Sequence, residues 1–155
     1  MDVRIPGYGR LVLEHLVLDY NGTLAVDGRP LTGVKSRLRA LAHTMRVHVI
    51  TADTFGKARH ALAGMECDLH ILKRGTEDRA KAAYVRALGA QSVACIGNGR
   101  NDRLMLRAAA LGIATVQREG AAAQSVMAAD IVVLDIRDAL DLLLTPQRLV
   151  ATLRA

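Results

Sequence analysis

The chain has 155 residues, of which 51% are hydrophobic, and this length and composition suit a single domain over residues 1–155 with one sizeable core. No apolar run reaches the roughly 18 residues of a membrane span, and the start of the chain does not resemble a signal peptide. We therefore expect a cytoplasmic protein without membrane contact. The net charge of +6 is scattered, and with 3 Tyr, 1 Phe and no Trp a base-stacking surface is disfavoured, so nucleic-acid binding ranks low.

The first half of the chain predicts an N-terminal β-hairpin and then strands that alternate with helices. Short strands over 3–5 and 10–14 flank a Pro-Gly turn, which indicates the hairpin. The apolar spacing then predicts a strand ending at residue 19, a helix over 32–44, a strand over 47–50, a weaker helix over 55–63 and a strand over 68–72.

The second half continues this alternation. The predicted elements are a helix over 77–88, a strand over 92–96, a helix over 103–109, a strand over 112–116, a helix over 121–128, a strand over 131–134 and a last helix from about residue 137. Strands alternating with helices indicate an α/β fold with a doubly wound, mostly parallel, Rossmann-like sheet.

The stretch over residues 16–23 allows two interpretations when it is taken alone. Three apolar residues lead to Asp19, as in a buried parallel strand that ends in a phosphate-sized loop. Gly22 would let the main chain approach an anion, with consecutive N–H groups pointing at phosphate oxygens. However, Asn21-Gly22 is also a strong hairpin signal, with residues 24–26 as the returning strand.

Polar side chains follow three of the predicted strands. These are Asp19 with its Asn-Gly-Thr, Thr51, and the loop from Asn98 to Asp102. A carboxylate nucleophile, a hydroxyl donor, a cationic group and a second acidic loop together suit phosphoryl transfer through an aspartyl phosphate. Asp19 and Asp102 could share a hard cation such as Mg²⁺.

Three segments carry a family resemblance. Residues 19–23 resemble D-x-D-G-T or D-K-T-G-T, residues 49–53 resemble a T-G-D element, and residues 97–102 resemble G-D-G-x-N-D. These are motifs of the haloacid dehalogenase (HAD) superfamily of phosphohydrolases and, within it, of the phosphorylation domain of P-type ATPases. The resemblance implies a HAD-like fold and a Mg²⁺-dependent phosphohydrolase whose nucleophile is Asp19. The intervals from Thr23 to Thr51 and from Thr51 to Lys73 are too short for a substantial cap domain, so we expect a capless member.

The resemblance also implies a role for each matching residue. The implied catalytic residues are Asp19, Asn21, Thr51 and Lys81; the substrate-binding residues are Tyr20, Gly22, Thr23, Ala52 and Asp53; and the metal ligands are Asp19, Asn21, Asn98 and Asp102. Lys73 is the second choice for the phosphate-binding lysine. The expected substrate is a phosphorylated small molecule or nucleotide, and a homo-oligomer is expected because capless members commonly cover their site by oligomerising.

Two positions depart from the family pattern. Asn21 replaces the aspartic acid that protonates the leaving group in the phosphatases, and loss of a general acid costs about 10² to 10⁴ in rate. Asn98 replaces a metal-binding aspartate, so the site loses one negative charge. These departures predict low activity, and they leave open an alternative in which the chain is a catalytically weakened phosphate-binding or regulatory protein.

Overall fold

A six-stranded parallel sheet forms the centre of the protein, whose computed structural model describes residues 1–52, 57–73 and 75–155, with only the main chain of Lys57. From edge to edge the strands are β10 (Ile131–Val133), β9 (Leu111–Thr115), β8 (Val93–Gly97), β3 (His15–Asp19), β6 (Arg46–Thr51) and β7 (Asp68–Ile71). Each neighbouring pair is parallel. The predicted α/β fold with a doubly wound sheet is therefore confirmed.

Helices cover both faces of this sheet. They are α1 (Val34–Ala42), α2 (Lys57–Ala61), α3 (Glu77–Ala87), α4 (Arg103–Ala108), α5 (Ala123–Val126), α6 (Ile136–Leu144) and α7 (Pro146–Leu153), with 3₁₀ turns at Ala90–Ser92 and Arg100–Asp102. Leu16 and Leu18 of β3 pack in the same core as α1 and α6, whereas Val17 packs in the core formed with α3 and α4. Consecutive strand residues point to opposite faces, so the apolar run of β3 is buried on both sides.

The two ends of the chain pack against each other. The predicted N-terminal hairpin is present as β1 (Asp2–Ile5) and β2 (Gly9–Val12), which pair antiparallel, and α7 packs against β1. The last helix is divided into α6 and α7 at Thr145, because Pro146 lacks an N–H group and occupies the first position of a new helix. No helix in the parts of the chain that the structure describes combines the length and apolar character needed to cross a bilayer.

A small flap follows β3. Its strands β4 (Ala25–Val26) and β5 (Arg29–Pro30) pair antiparallel around Asp27 and Gly28, whose φ angles are 51° and 74°. Two consecutive positive φ angles form the type I′ turn that matches strand twist in a two-residue hairpin. The hairpin interpretation of Asn21-Gly22 is therefore wrong: β3 pairs in parallel with β6 and β8, and the returning strand pairs with β5.

A histidine is buried in the middle of β6. His48 is 1% exposed; its Nε2 lies 3.1 Å from Nδ1 of His15, and its Nδ1 lies 2.8 Å from the hydroxyl of Tyr84. A neutral ring satisfies both contacts when the Tyr84 hydroxyl donates to Nδ1 and the Nε2 N–H donates to His15. Burial first, and then the nearby His15, lower the pKa of His48 to about 4, and this outweighs the opposing effect of Asp68.

This buried ring should make folding stability depend on pH. Between about pH 6.5 and pH 4 the unfolded chain protonates His48 and the folded chain does not, so stability falls as the pH is lowered through that window. When the pH is lowered from 7 to 4.5, the unfolding free energy of wild type should fall by about 2 to 3 kcal/mol more than that of His48→Gln. Urea denaturation at both pH values measures this difference. The exposed His43→Gln serves as the control, and an equal pH dependence in His48→Gln and wild type would contradict the prediction.

Candidate active site

The carboxyl end of β3 places Asp19 at the middle of the sheet edge. Its side chain is buried, and Nζ of Lys81, one turn into α3, lies 2.5 Å from its Oδ1. The same Nζ lies 2.6 Å from Oδ1 of Asp102, which follows β8. One buried ammonium thus bridges two buried carboxyl groups.

Burial and the contacts at this bridge shift the pKa values of Asp19 and Lys81. The pKa of Asp19 is raised, first because burial disfavours the charged form and then because Asp102 is close, while Lys81 opposes the rise. Burial by itself would lower the pKa of Lys81, but the two carboxylates outweigh it and raise the pKa above its ordinary value. Lys81 is therefore held as a cation, and a further positive charge placed beside Asp19 would favour the carboxylate form of that residue.

Asp102 uses both of its oxygens within the protein. While Oδ1 accepts from Lys81, Oδ2 accepts from the main-chain N–H groups of Asn98 at 2.9 Å and Gly99 at 2.8 Å. A Cβ on Gly97 would lie 2.6 Å from Cγ of Asp102, so this approach requires a glycine. The contacts suit an anchor for Lys81 and the loop, and the metal-ligand role of Asp102 stays a prediction.

Asn98 fits its loop through its amide group. Its Oδ1 accepts from Oγ1 of Thr23 at 3.2 Å, and its Nδ2 donates to the carbonyl of Gly120 at 2.9 Å. An aspartate at this position would place a carboxylate oxygen against that carbonyl oxygen, which is unfavourable. The two hydrogen bonds of the Asn98 side chain therefore require an amide, so asparagine has a structural role here that an aspartate would not fill.

The loop after Asp19 differs in part from what the sequence predicts. The main-chain N–H of Gly22 donates to the carbonyl of Ala25 at 2.8 Å, so the prediction that it points at phosphate needs correction. Gly22 is required for another reason: its φ is 77°, and a Cβ would lie 2.7 Å from Oδ1 of Asn98. The ring of Tyr20 is buried, and its hydroxyl donates to the carbonyl of Gly28 in the flap.

The remaining predicted site residues lie around the same edge. Thr51 is buried at the end of β6, one residue beyond the Ile50 that pairs with Asp19, and Ala52 follows it. The predicted substrate-binding residue Asp53 lies outside the described residues. Asn21 is exposed two residues after Asp19, whereas Lys73 is exposed after β7. Of the two candidate lysines, Lys81 is the one in contact with Asp19.

The turn over residues 117–120, which follows β9, also contacts the site and is not predicted from the sequence. Gln117 donates through Nε2 to the carbonyls of Gly22 at 3.0 Å and Thr23 at 2.9 Å. Glu119 accepts from the N–H of Asp27 in the flap. No motif marks this turn in the sequence. It reaches the site because β9, the strand that it follows, lies beside β8 in the sheet.

The donors at this edge fit a hard cation. They include the buried carboxyl groups of Asp19 and Asp102 and the amide oxygen of Asn98, and Mg²⁺ is usually bound by one or two carboxylates together with substrate phosphate. Among the residues that the structure describes, no group of three or more His, Cys, Asp or Glu side chains could hold a metal by itself. The oxygen donors therefore suit Mg²⁺ better than a metal that prefers nitrogen or sulfur ligands.

Solved structures with similar architecture are HAD superfamily hydrolases. They include a subfamily III A hydrolase from Legionella pneumophila, with a TM-score of 0.73, 19% identity and coverage of 91% of this chain and 87% of that one. A 3-deoxy-D-manno-octulosonate 8-phosphate phosphatase from Moraxella catarrhalis, in complex with magnesium and phosphate ions and the sugar, has a TM-score of 0.72, 17% identity and 90% coverage of each chain. Apo phosphoserine phosphatase has a TM-score of 0.68 and 14% identity, and covers 83% of this chain and 98% of its own. These identities show a shared fold, and the likeness to P-type ATPases stays a prediction.

Sequence comparison finds relatives in Methanocaldococcus jannaschii, whereas no family model matches. The chain is 45% identical over 86 residues to the uncharacterized protein MJ0073, covering 53% of this chain and 92% of the relative. It is 44% identical over 39 residues to the uncharacterized protein MJ0072, covering 25% of this chain and 89% of that one. The chain therefore belongs to the same family as MJ0073, and it has the fold of the HAD superfamily hydrolases.

Proposed function

We propose that the protein is a Mg²⁺-dependent phosphohydrolase that acts through an aspartyl phosphate on Asp19. The observation that carries this proposal is the buried bridge from Lys81 to Asp19 and Asp102, at 2.5 and 2.6 Å, at the carboxyl edge of a HAD-like sheet. A buried nucleophile beside a fixed cation, at the edge where open α/β sheets bind ligands, is suited to phosphoryl transfer.

The proposed chemistry has two steps. A carboxylate oxygen of Asp19 attacks phosphorus, and the bond from phosphorus to the leaving oxygen breaks; water then attacks the acyl phosphate and releases inorganic phosphate. Lys81 and the hydroxyl of Thr51 face the phosphoryl oxygens and offset their charge. The proposed Mg²⁺ ligands are the carboxylates of Asp19 and Asp102, the main-chain carbonyl of Asn21 and the amide oxygen of Asn98. The metal, when bound, would neutralise and orient the phosphoryl group.

Two cavities lie beside the flap of what we propose is a single domain without a cap. A cavity of about 980 Å³ lies beside the flap, with Arg29 and Lys35 among its lining residues. A second cavity of about 460 Å³ lies beside Val26 and is also lined by Gln117 of the turn that contacts the nucleophile loop. Neither cavity is lined by Asp19, Thr51 or Lys81, so the proposed substrate, a phosphorylated small molecule or nucleotide, rests on the chemistry of the site. A second copy of the chain is the proposed cover for that site.

The alternative is a phosphate-binding or regulatory protein that has lost turnover. The exposed amide of Asn21 favours it, because an amide cannot protonate a leaving group. A panel of phosphate esters, anhydrides and nucleotides, assayed with Mg²⁺ and with a chelator, decides between the two. Chelator-sensitive release of phosphate is expected for the enzyme, whereas Mg²⁺-dependent phosphate binding without turnover of any compound supports the alternative.

Introducing an acid at position 21 should help only reactions that need one. We expect Asn21→Asp to raise turnover of alkyl phosphates by about 10 to 100-fold, because the new carboxylic acid can protonate a poor leaving group. Acetyl phosphate and p-nitrophenyl phosphate, whose leaving groups need no proton, should change little. The measurement is kcat/KM for both substrate classes. Gln91→Glu, an exposed amide-to-acid change just before β8, is the control, and an equal gain on both classes would argue against the missing acid.

A further inference from the structure

We propose that Gln117 is a positioning residue that fixes the loop after Asp19 in the geometry used for phosphoryl binding, an inference that rests on the proposed function. Gln117 follows β9 and is half-buried. Its Nε2 donates to the carbonyls of Gly22 at 3.0 Å and Thr23 at 2.9 Å, and its Oε1 accepts from the N–H of Ile136 at 2.9 Å. A single amide therefore ties the nucleophile loop to the first residue of α6.

The turn that carries Gln117 is itself held firmly. The N–H of Gly120 donates to the carbonyl of Gln117 at 2.8 Å, and the N–H of Val116 donates to the carbonyl of Val133 in the neighbouring strand. The side chain of Gln117 thus projects from a closed turn at the end of a buried strand. A group on such a support can hold a neighbouring loop more precisely than one on a free segment.

The same turn also contacts the other parts of the site. Its Gly120 carbonyl accepts from Nδ2 of Asn98, and Glu119 accepts from the N–H of Asp27 in the flap. The nucleophile loop, the loop after β8 and the flap therefore meet at one turn. Gln117 is the member of that turn that donates two hydrogen bonds to the loop after Asp19, at Gly22 and Thr23.

Gln117 supplies a hydrogen-bond donor to the carbonyls of Gly22 and Thr23. Thr23 is fully buried, and a buried carbonyl that loses its donor incurs a desolvation penalty. The loop would escape that penalty by moving its carbonyls towards water. Such a movement would displace the main chain between Asp19 and Thr23, which contains the predicted Mg²⁺ ligand Asn21. Small displacements of this kind are costly in catalysis because the reacting atoms must be held in register.

Gln117→Glu tests this assignment with almost no change of shape. The Oε1 contact to Ile136 is kept, whereas a carboxylate oxygen now faces the carbonyls of Gly22 and Thr23. We expect the amide hydrogens of residues 20–25 to exchange at least about 10-fold faster by mass spectrometry, and kcat for p-nitrophenyl phosphate to fall by about 10 to 100-fold. Gln124→Glu, an exposed change of equal charge in α5, should match wild type in both measurements.

A pH profile separates positioning from a general loss of fold. The carboxyl group introduced by Gln117→Glu regains one donor when it is protonated, so the ratio of variant to wild-type kcat should rise as the pH falls from 8 to 5. Unchanged exchange in residues 20–25 overturns the inference whatever the activity, and faster exchange with unchanged kcat reduces Gln117 to a structural contact and also overturns it. If the wild type shows no turnover, the proposed function has failed, and the affinity for inorganic phosphate in the presence of Mg²⁺ is compared between variant and wild type in place of kcat. Failure of the proposed function is thus distinguished from failure of this inference.

Discussion

Replacement of Asp19 by Asn is expected to abolish phosphate-ester hydrolysis, by about 10³-fold or more, while the chain stays folded. An amide cannot attack phosphorus and does not attract a cation as a carboxylate does. Folding should persist because Lys81 keeps its contact with Asp102 at 2.6 Å, and because the substitution removes an acidic group whose charged form is disfavoured by burial and by Asp102. Initial rates with p-nitrophenyl phosphate and thermal unfolding of the same sample are the measurements.

The matched control is Asp138→Asn, an exposed substitution of the same kind in the first turn of α6. It should leave the rate within a factor of about two of wild type, because a change of one surface charge far from a site has little effect. Unchanged turnover in Asp19→Asn would remove the nucleophile assignment. A loss of turnover accompanied by unfolding would show instead that the carboxylate is needed for stability.

The sheet and the positions of its polar strand ends could be predicted from the sequence because both depend on local pattern. The apolar run before Asp19 predicts a strand buried on both faces, and β3 lies between β8 and β6. The carboxyl ends of parallel strands meet at one edge, so Asp19 and Asp102 converge although 83 positions (102 − 19) separate them in sequence. Lys81 is preferred over Lys73 because it lies near the start of a predicted helix. In the structure Nζ of Lys81 contacts Asp19, whereas the phosphate-binding role of Lys81 stays a prediction.

Features that depend on contacts between distant loops could not be predicted in this way. Gln117 lies in a segment without a motif, and only the fold brings its amide to carbonyls more than 90 residues away. The sequence predicts that Gly22 lets the main chain approach an anion. In the structure its missing side chain makes room for Asn98, a contact that no local sequence pattern indicates. The division of the last helix into α6 and α7 could have been predicted, because Pro146 is a local signal for the start of a helix.

Asn98 shows how the structure changes the meaning of a substitution. In the sequence it is the loss of an acidic ligand, and restoring the acid would be expected to strengthen metal binding. In the structure its Nδ2 donates to Gly120 and its Oδ1 accepts from Thr23. An aspartate would gain attraction for a cation but lose a hydrogen bond and face a carbonyl oxygen, so the two effects oppose each other.

Lys81→Met is expected to be the most destabilising single substitution at the site, by about 3 to 5 kcal/mol, because it leaves Asp19 and Asp102 buried without their shared cation. It should also reduce turnover far more than Lys73→Met, whose exposed side chain should alter the free energy of unfolding by no more than about 0.5 kcal/mol. Urea denaturation and initial rates of both variants are the measurements.

A double variant keeps this prediction testable if Lys81→Met does not fold. Adding Asp19→Asn removes one of the two stranded carboxylates, so the pair Asp19→Asn and Lys81→Met should be more stable than Lys81→Met alone. The recovery should be absent when the second change is the exposed Asp138→Asn. If Lys81→Met proves as stable and as active as Lys73→Met, the bridge between the two carboxylates is not what holds this site together, and the phosphate-binding role would pass to Lys73.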